Sequence, residues 1–355
     1  MTLTTFWFFV IGVVWAGFFV LDGFDLGVGM LHGFVGRDED GRRAAISAIA
    51  PVWDGNEVWL VVGAAGMFAA FPQWYATTFS ALYLVVVVLL AALILRGVAF
   101  EFGAKVRDSG WRRRWSWLLA LGSLVIPVLL GLVLGDLLAG LPIDSSGEFT
   151  GSFADLITGY GVFVGITFAA MCLVHGALFL AIKCTGTVAA RAGRAATWLA
   201  LPGALVVTAY AIWTHVIAGK GVLPNILEVM AILAAFATAW AAVESHFGWA
   251  FVAMAATIAT AVLSLFADLY PRVMVSTLGS GNDLTVTGAA SGSYALTLMT
   301  IIVAVFLPVV LLYQGWTYHV FRARIRTGGA PPDDAEPATP GPSPNGGSVR
   351  ATRPD

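Results

Sequence analysis

Two short runs in this 355-residue chain place carboxylates three residues apart within apolar sequence. They are Asp22 and Asp25 in DGFDLGVGML, and Asp54 and Glu57 in APVWDGNEVWL. On a helix that spacing puts both side chains of a pair on one face. Ionisable groups inside apolar helices are costly, which makes each a candidate for function. Carboxyls that can be neutral as well as charged suit proton relay, and burial is what allows the neutral form. The plainer alternative is that the acids pair with arginines near a membrane surface and only pin helices together. Gly23, Gly27 and Gly29 offer close packing beside the first pair. Pro51 precedes the second pair and Gly55 lies within it, and together they predict a local kink. Glu101 and Lys105 form a further polar pair one helical turn apart in LRGVAFEFGAKV.

The elements that must position these groups are membrane spans. Apolar residues make up 59% of the chain and charged ones 11%, too few charges to cover a water-facing surface. About 20 apolar residues of helix cross a bilayer core. Such runs centre on Thr4–Leu21, Ile46–Phe71, Tyr75–Val98, Trp117–Leu138, Leu156–Ile182, Ala195–Ile217, Pro224–Val243, Phe247–Tyr270 and Tyr294–Phe321. The fold class expected is therefore an all-α integral membrane protein of about nine transmembrane helices. The N-terminal run is read as the first span, because no basic stretch or small-residue cleavage site interrupts it. With the N-terminus outside, 17 of the 19 basic residues, Arg96 among them, fall in inner loops or the C-terminal segment, leaving Lys220 and Arg272 outside. That asymmetry predicts N-out, C-in. Asp54, some eleven residues past Arg43, is expected roughly 16 Å into the second helix. Residues 1–326 read as a transmembrane domain, and 327–355, rich in Pro, Gly and acids, as a disordered cytoplasmic tail.

The remaining chemistry-bearing residues are quieter. His32, His175, His215, His246 and His319 offer no pair at matched depth on facing helices, as a bis-histidine haem would need. Satisfied or interfacial histidines are expected, with no haem or metal held by this chain. Cys172 and Cys184 lie twelve residues apart on one helix, roughly 18 Å, and read as packing residues. The 13 tryptophans mostly fall near predicted membrane ends as anchors, although Trp53 and Trp59 flank the second acid pair and could line a cavity.

Together, DGFDLGVGML, APVWDGNEVWL with AAFP, LRGVAFEFGAKV, WRRRW, GLVLGDLLAGLP, YPRVMVSTLG and the run from LTLMTII to FRARI resemble subunit II of the cytochrome bd-type quinol oxidases. The resemblance covers all but about the last thirty residues. It implies two four-helix bundles plus one peripheral helix. It implies a heterodimer with a subunit I that holds haem b558, haem b595, haem d and the quinol site, a small accessory subunit being left open. Such an enzyme oxidises quinol and reduces dioxygen to water in the bacterial cell membrane, drawing protons from the cytoplasm. By motif, the resemblance places Asp54, Glu101 and Lys105 on a proton path at the subunit interface. Asp22, Asp25 and Glu57 remain a supporting polar cluster. Glu101 departs from the family's Asp by one methylene, and Glu57 stands where an amide is usual, so no role carries over to it. A proton-coupled secondary transporter is the main rival, weakened by acids on one side and the absence of an evident repeat. An independent haem-b carrier and an assembly protein are further rivals, and nothing points to nucleic acid.

Overall fold

The computed structural model describes residues 2–103, 105–106 and 108–326. Arg107 and the expected tail at 327–355 lie outside the described residues. The chain runs through α1 (Leu3–Val35), α2 (Glu39–Ile49), α3 (Trp53–Ala70), α4 (Pro72–Ala81), α5 (Tyr83–Phe102), α6 (Ser109–Ala139), α7 (Gly159–Lys183), α8 (Gly186–Ala218), α9 (Ile226–Val243), α10 (Phe247–Leu269) and α11 (Ser293–Val320). A two-stranded antiparallel ribbon, β1 (Arg272–Met274) with β2 (Leu284–Thr285), interrupts the loop before α11. Eight of the described helices are long and apolar enough to cross a membrane: α1 and α5 to α11. The 18-residue α3, which carries Asp54 and Glu57, comes from the second of the nine runs read from sequence and is not among those eight.

Two expected spans are broken where local chemistry breaks them. The second predicted run starts anew at Trp53, because Ala50–Val52 leave the helix at Pro51 and the amphipathic α2 ends at Ile49. The third divides at Leu82 into the short α4, opened by Pro72, and the long α5.

Packing sorts the long helices into two groups and an outlier. α1, α3, α5 and α6 form one bundle, α7 to α10 the other, and α1 also packs against α6, α7 and α10, joining the halves. At the seam a Cβ on Gly27 would lie 1.9 Å from the Cys172 carbonyl oxygen and 2.8 Å from Gly176. Glycine at both positions is what lets α1 and α7 touch backbone to backbone. α11 stands at the edge, with Leu296 its one buried residue. It is tied to α1 by Trp7, whose Nε1 donates to the Leu296 carbonyl at 3.2 Å and to Thr300 Oγ1 at 3.0 Å.

Candidate functional site

α5 carries Arg96 into the first bundle, where its side chain is fully buried. The sequence reading had counted Arg96 as an inner-loop base; the structure corrects this, because buried carboxylates accept its charge. Arg96 Nη1 donates to Glu57 Oε2 at 2.7 Å and Nη2 donates to Asp22 Oδ1 at 3.1 Å. Its guanidinium lies 5.7 Å from the Trp53 ring centroid and 5.5 Å from that of Phe100, and those rings stack at 4.6 Å. Trp53 precedes Glu57 by one turn and Phe100 follows Arg96 by one turn, so two helical repeats build one clamp. A planar, weakly hydrated fork suits such a site better than an ammonium would.

Asp25, one turn beyond Asp22, has no cation of its own. Its Oδ2 accepts from Asn56 Nδ2 at 2.7 Å, and that amide also donates to the Leu21 carbonyl at 3.1 Å. Asn56 Oδ1 accepts from Gln314 Nε2 at 3.1 Å and from the Tyr318 hydroxyl at 2.8 Å. Trp59 Nε1 donates to Gln314 Oε1 at 3.1 Å. Helices α1, α3, α5 and α11 thus meet in one polar network. Asp22 Oδ2 and Asp25 Oδ1 are buried with no hydrogen-bond partner among the described residues. Three carboxyls share one guanidinium here, so full ionisation would leave two negative charges uncompensated at such depth, which is costly. The arrangement is chemically suited to taking up a proton.

The other expected site residues lie at the rim. Asp54, in the first turn of α3, is exposed on this chain's own surface and lines a cavity of about 790 Å³ between α1, α3 and α11. That corrects the expectation of an acid sunk along a continuous second helix. The break at Pro51 puts Asp54 at the mouth of α3, and burial of its carboxyl has to come from another molecule. Glu101 and Lys105 are exposed at the end of α5, with Lys105 Nζ 4.4 Å from the Phe102 ring centroid. Among the described residues no hydrogen bond or ion pair joins Asp54, Glu101 and Lys105 to one another. Asp54 does lie within electrostatic reach of Glu57.

Arg96, Asn56, Gln314 and Tyr318 were missed from sequence. Gln314 and Tyr318, four apart in an otherwise apolar helix, were the available signal for the last two. Trp59 lines the cavity, as one sequence reading allowed. His32 is held by the Gly29 carbonyl at 2.7 Å and Ser116 Oγ at 2.5 Å, while His175 stacks on Phe251 at 4.3 Å. No cluster of His, Cys, Asp or Glu fit to hold a metal occurs among the described residues. Cys172 and Cys184 are both buried and free.

Asp144, in the loop after α6, accepts from Ser146 Oγ at 2.6 Å, Ser146 N at 2.9 Å and Glu148 N at 3.0 Å. These hydrogen bonds, led by the Ser146 hydroxyl, hold its carboxyl below the usual carboxylate range.

Comparison with known proteins gives a consistent result. A family model described as cytochrome bd terminal oxidase subunit II matches residues 3–321. The chain is 39% identical over 325 residues to cytochrome bd ubiquinol oxidase subunit 2 of Bacillus subtilis (strain 168), covering 90% of this chain and 96% of that protein. It is 30% identical over 356 residues to cytochrome bd-I ubiquinol oxidase subunit 2 of Escherichia coli (strain K12), covering 90% and 94%. The solved structure of bd oxidase from Geobacillus thermodenitrificans contains a chain that superposes with a TM-score of 0.68 at 19% identity, over 91% of this chain and 98% of that one. At that identity the superposition speaks for the fold alone.

Proposed function

The chain belongs to the cytochrome bd terminal oxidase subunit II family, and on that premise we propose that it braces a haem-bearing subunit I and brings protons to it along its α3–α5 edge. It is a subunit of a bacterial respiratory quinol oxidase and a multi-pass membrane protein, and haem belongs to its partner subunit. The finer parts of the reading are also proposals. They are haem b558, haem b595 and haem d in subunit I, reduction of dioxygen to water, and an N-terminus outside with the C-terminus in the cytoplasm. A tail beginning at 327 completes them.

One observation carries the proton reading. Asp54 shares the outward face of α3 with Val58, Val61 and Val62, all exposed. An acid heading an apolar face at membrane level is costly if lipid covers it. Coverage by subunit I would instead place it in a protein-lined seam. Glu101 shares the outward face of α5 with the exposed Ile94 in the same way, and Lys105 follows one turn later. In this reading Glu101 and Lys105 collect protons at the cytoplasmic surface and Asp54 passes them into the seam. The buried cluster of Asp22, Asp25, Glu57 and Arg96 backs that path from inside the chain.

The test is Asp54→Asn in the assembled oxidase. Oxygen consumption with quinol is expected to fall about tenfold, which corresponds to ~1.4 kcal/mol in the barrier, with unchanged haem absorption. Unchanged turnover removes Asp54 from the path, and loss of the haem bands makes its role structural. The transporter reading is not favoured, since the relatives are oxidase subunits across nearly their whole length.

A further inference from the structure

Arg96 is balanced by buried acids, whereas three bases where α7 and α11 finish are balanced by none. Lys183 closes α7, and Arg322 and Arg324 follow α11. Among the described residues no carboxylate lies within ion-pair distance of any of the three. They are gathered by the segment after α11, which lies bonded along the turn after α7. Ile325 N donates to the Lys183 carbonyl at 2.8 Å, and Thr185 N donates to the Ile325 carbonyl at 2.9 Å. Arg324 Nη2 donates to the Cys184 carbonyl at 3.0 Å, so that base caps the end of α7.

Lys183 and Arg322 line one cleft of about 230 Å³ between α2, α7 and α11. Its walls are largely apolar, with Val52, Phe179, Ile182 and Phe321 among them, and no acid lines it. Asp54, the acid nearest in sequence to these walls, lines the other cavity, between α1, α3 and α11. Each base keeps donors to offer. One N–H of the Lys183 amine goes to the Phe321 carbonyl, and the others have no partner among the described residues. Arg322 uses Nη1 on His319, at 2.6 Å to Nε2 and 3.0 Å to the carbonyl, which leaves Nε and Nη2. The cleft therefore sets two unanswered cations over an apolar floor at the level where spanning helices end. Phosphate groups of lipids are the anions met at that level, and basic pockets between membrane helices bind such headgroups.

We propose that this cleft is a binding site for one anionic glycerophospholipid. The lipid phosphate accepts from Lys183 Nζ and from Arg322 Nε and Nη2, while its glyceryl esters and first methylenes lie on Val52, Ile182 and Phe321. The rest of each acyl chain stays in the bilayer, so a small cleft is sufficient. The bound lipid ties α11 to α2 and α7, where α11, with Leu296 alone buried, has little packing of its own. With the orientation proposed above, the site belongs to the cytoplasmic leaflet.

The test is native mass spectrometry of the complete two-subunit oxidase, after exchange in detergent with phosphatidylglycerol or with phosphatidylcholine of equal chain length. The unaltered protein is expected to retain about one phosphatidylglycerol that phosphatidylcholine does not replace. Lys183→Gln with Arg322→Gln should weaken that retention about thirtyfold, the worth of two interfacial bases. Arg322→Gln alone, at an exposed position, should weaken it about fivefold and decides the matter if the double variant fails to assemble. Arg114→Gln removes an exposed base on α6 that does not line the cleft, and should change nothing. Equal retention of the two lipids overturns the proposal, as does undiminished retention in the cleft variants or an equal loss in Arg114→Gln. Displacement of the lipid by millimolar inorganic phosphate makes the site one for a free anion, and overturns it too. None of these outcomes bears on Asp54, whose test reads oxygen consumption.

Discussion

Replacing Arg96 with Met tests whether the buried network is held together by charge. The substitution removes both donors to Asp22 and Glu57 and the cation above Trp53 and Phe100, while filling a similar volume. Removing one partner of a buried pair costs about 3–5 kcal/mol, mostly because the remaining charge is stranded. At about 2 °C per kcal/mol for a large chain, the apparent unfolding temperature should fall by about 6–10 °C. The assay is intrinsic tryptophan fluorescence of the purified two-subunit complex during heating, beside a haem spectrum to confirm assembly. The decisive comparison is the triple variant Arg96→Met, Asp22→Asn, Glu57→Gln. An uncharged replacement of a buried ion cluster is often close to neutral, so it should regain more than half of the loss. A single variant as stable as the parent, or a triple variant no better than the single, would refute the argument that stranded charge is the cost.

Other outcomes follow from particular contacts. Gly27→Ala should destabilise the complex by several degrees or block its assembly, because its Cβ would overlap the Cys172 carbonyl. Gly55→Ala, with nothing within 4 Å of its Cβ, should leave melting unchanged, and heating curves of the two variants check the contrast. Tyr318→Phe removes one donor to Asn56 but leaves Gln314 in place, so it should cost about 1 kcal/mol, roughly 2 °C in the same assay. The Asp144 turn should stay ordered as pH falls through the ordinary carboxylate range and open only below it, since a depressed carboxyl keeps its stabilising charge until protonated. Hydrogen exchange at Ser146 and Glu148 measures where it opens, and Asp144→Asn should remove the acid transition.

Periodicity and length carried the helical architecture in the sequence, because the demand for apolar spans of near-fixed length leaves few alternatives. The breaks at Pro51 and Leu82 were less legible. A proline predicts a kink, but only packing decides whether helix resumes on the same axis, and here α3 begins afresh. The resulting error at Asp54 was one of environment, not of residue choice. Hydropathy and spacing can place an acid at a depth, but they do not say whether that depth is filled by the chain's own helices or left for a neighbour. Asp22 and Asp25 point into the chain and Asp54 points out of it, although all three sit in similar sequence.

Arg96 shows the same limit from the other side. Rules that count basic residues by loop treat every arginine near a predicted boundary as solvated, and this one follows LIL in the last two turns of a span. What removes it from water is a set of acids 39 and 74 positions away, a relation that no local window contains. Glu228 on α9 and Asp268 on α10, both buried, escape notice for a related reason: each sits near a predicted helix end, where an isolated acid is ordinary. Their burial appears only once α8, α9 and α10 close over them. In a membrane chain, then, polar residues within a few turns of a boundary deserve pairing across helices before they are assigned to solvent. On that logic, a charge-reversing substitution at Arg96 should be rescued more fully by changes at Asp22 and Glu57 than by any change at the rim residues Asp54, Glu101 or Lys105.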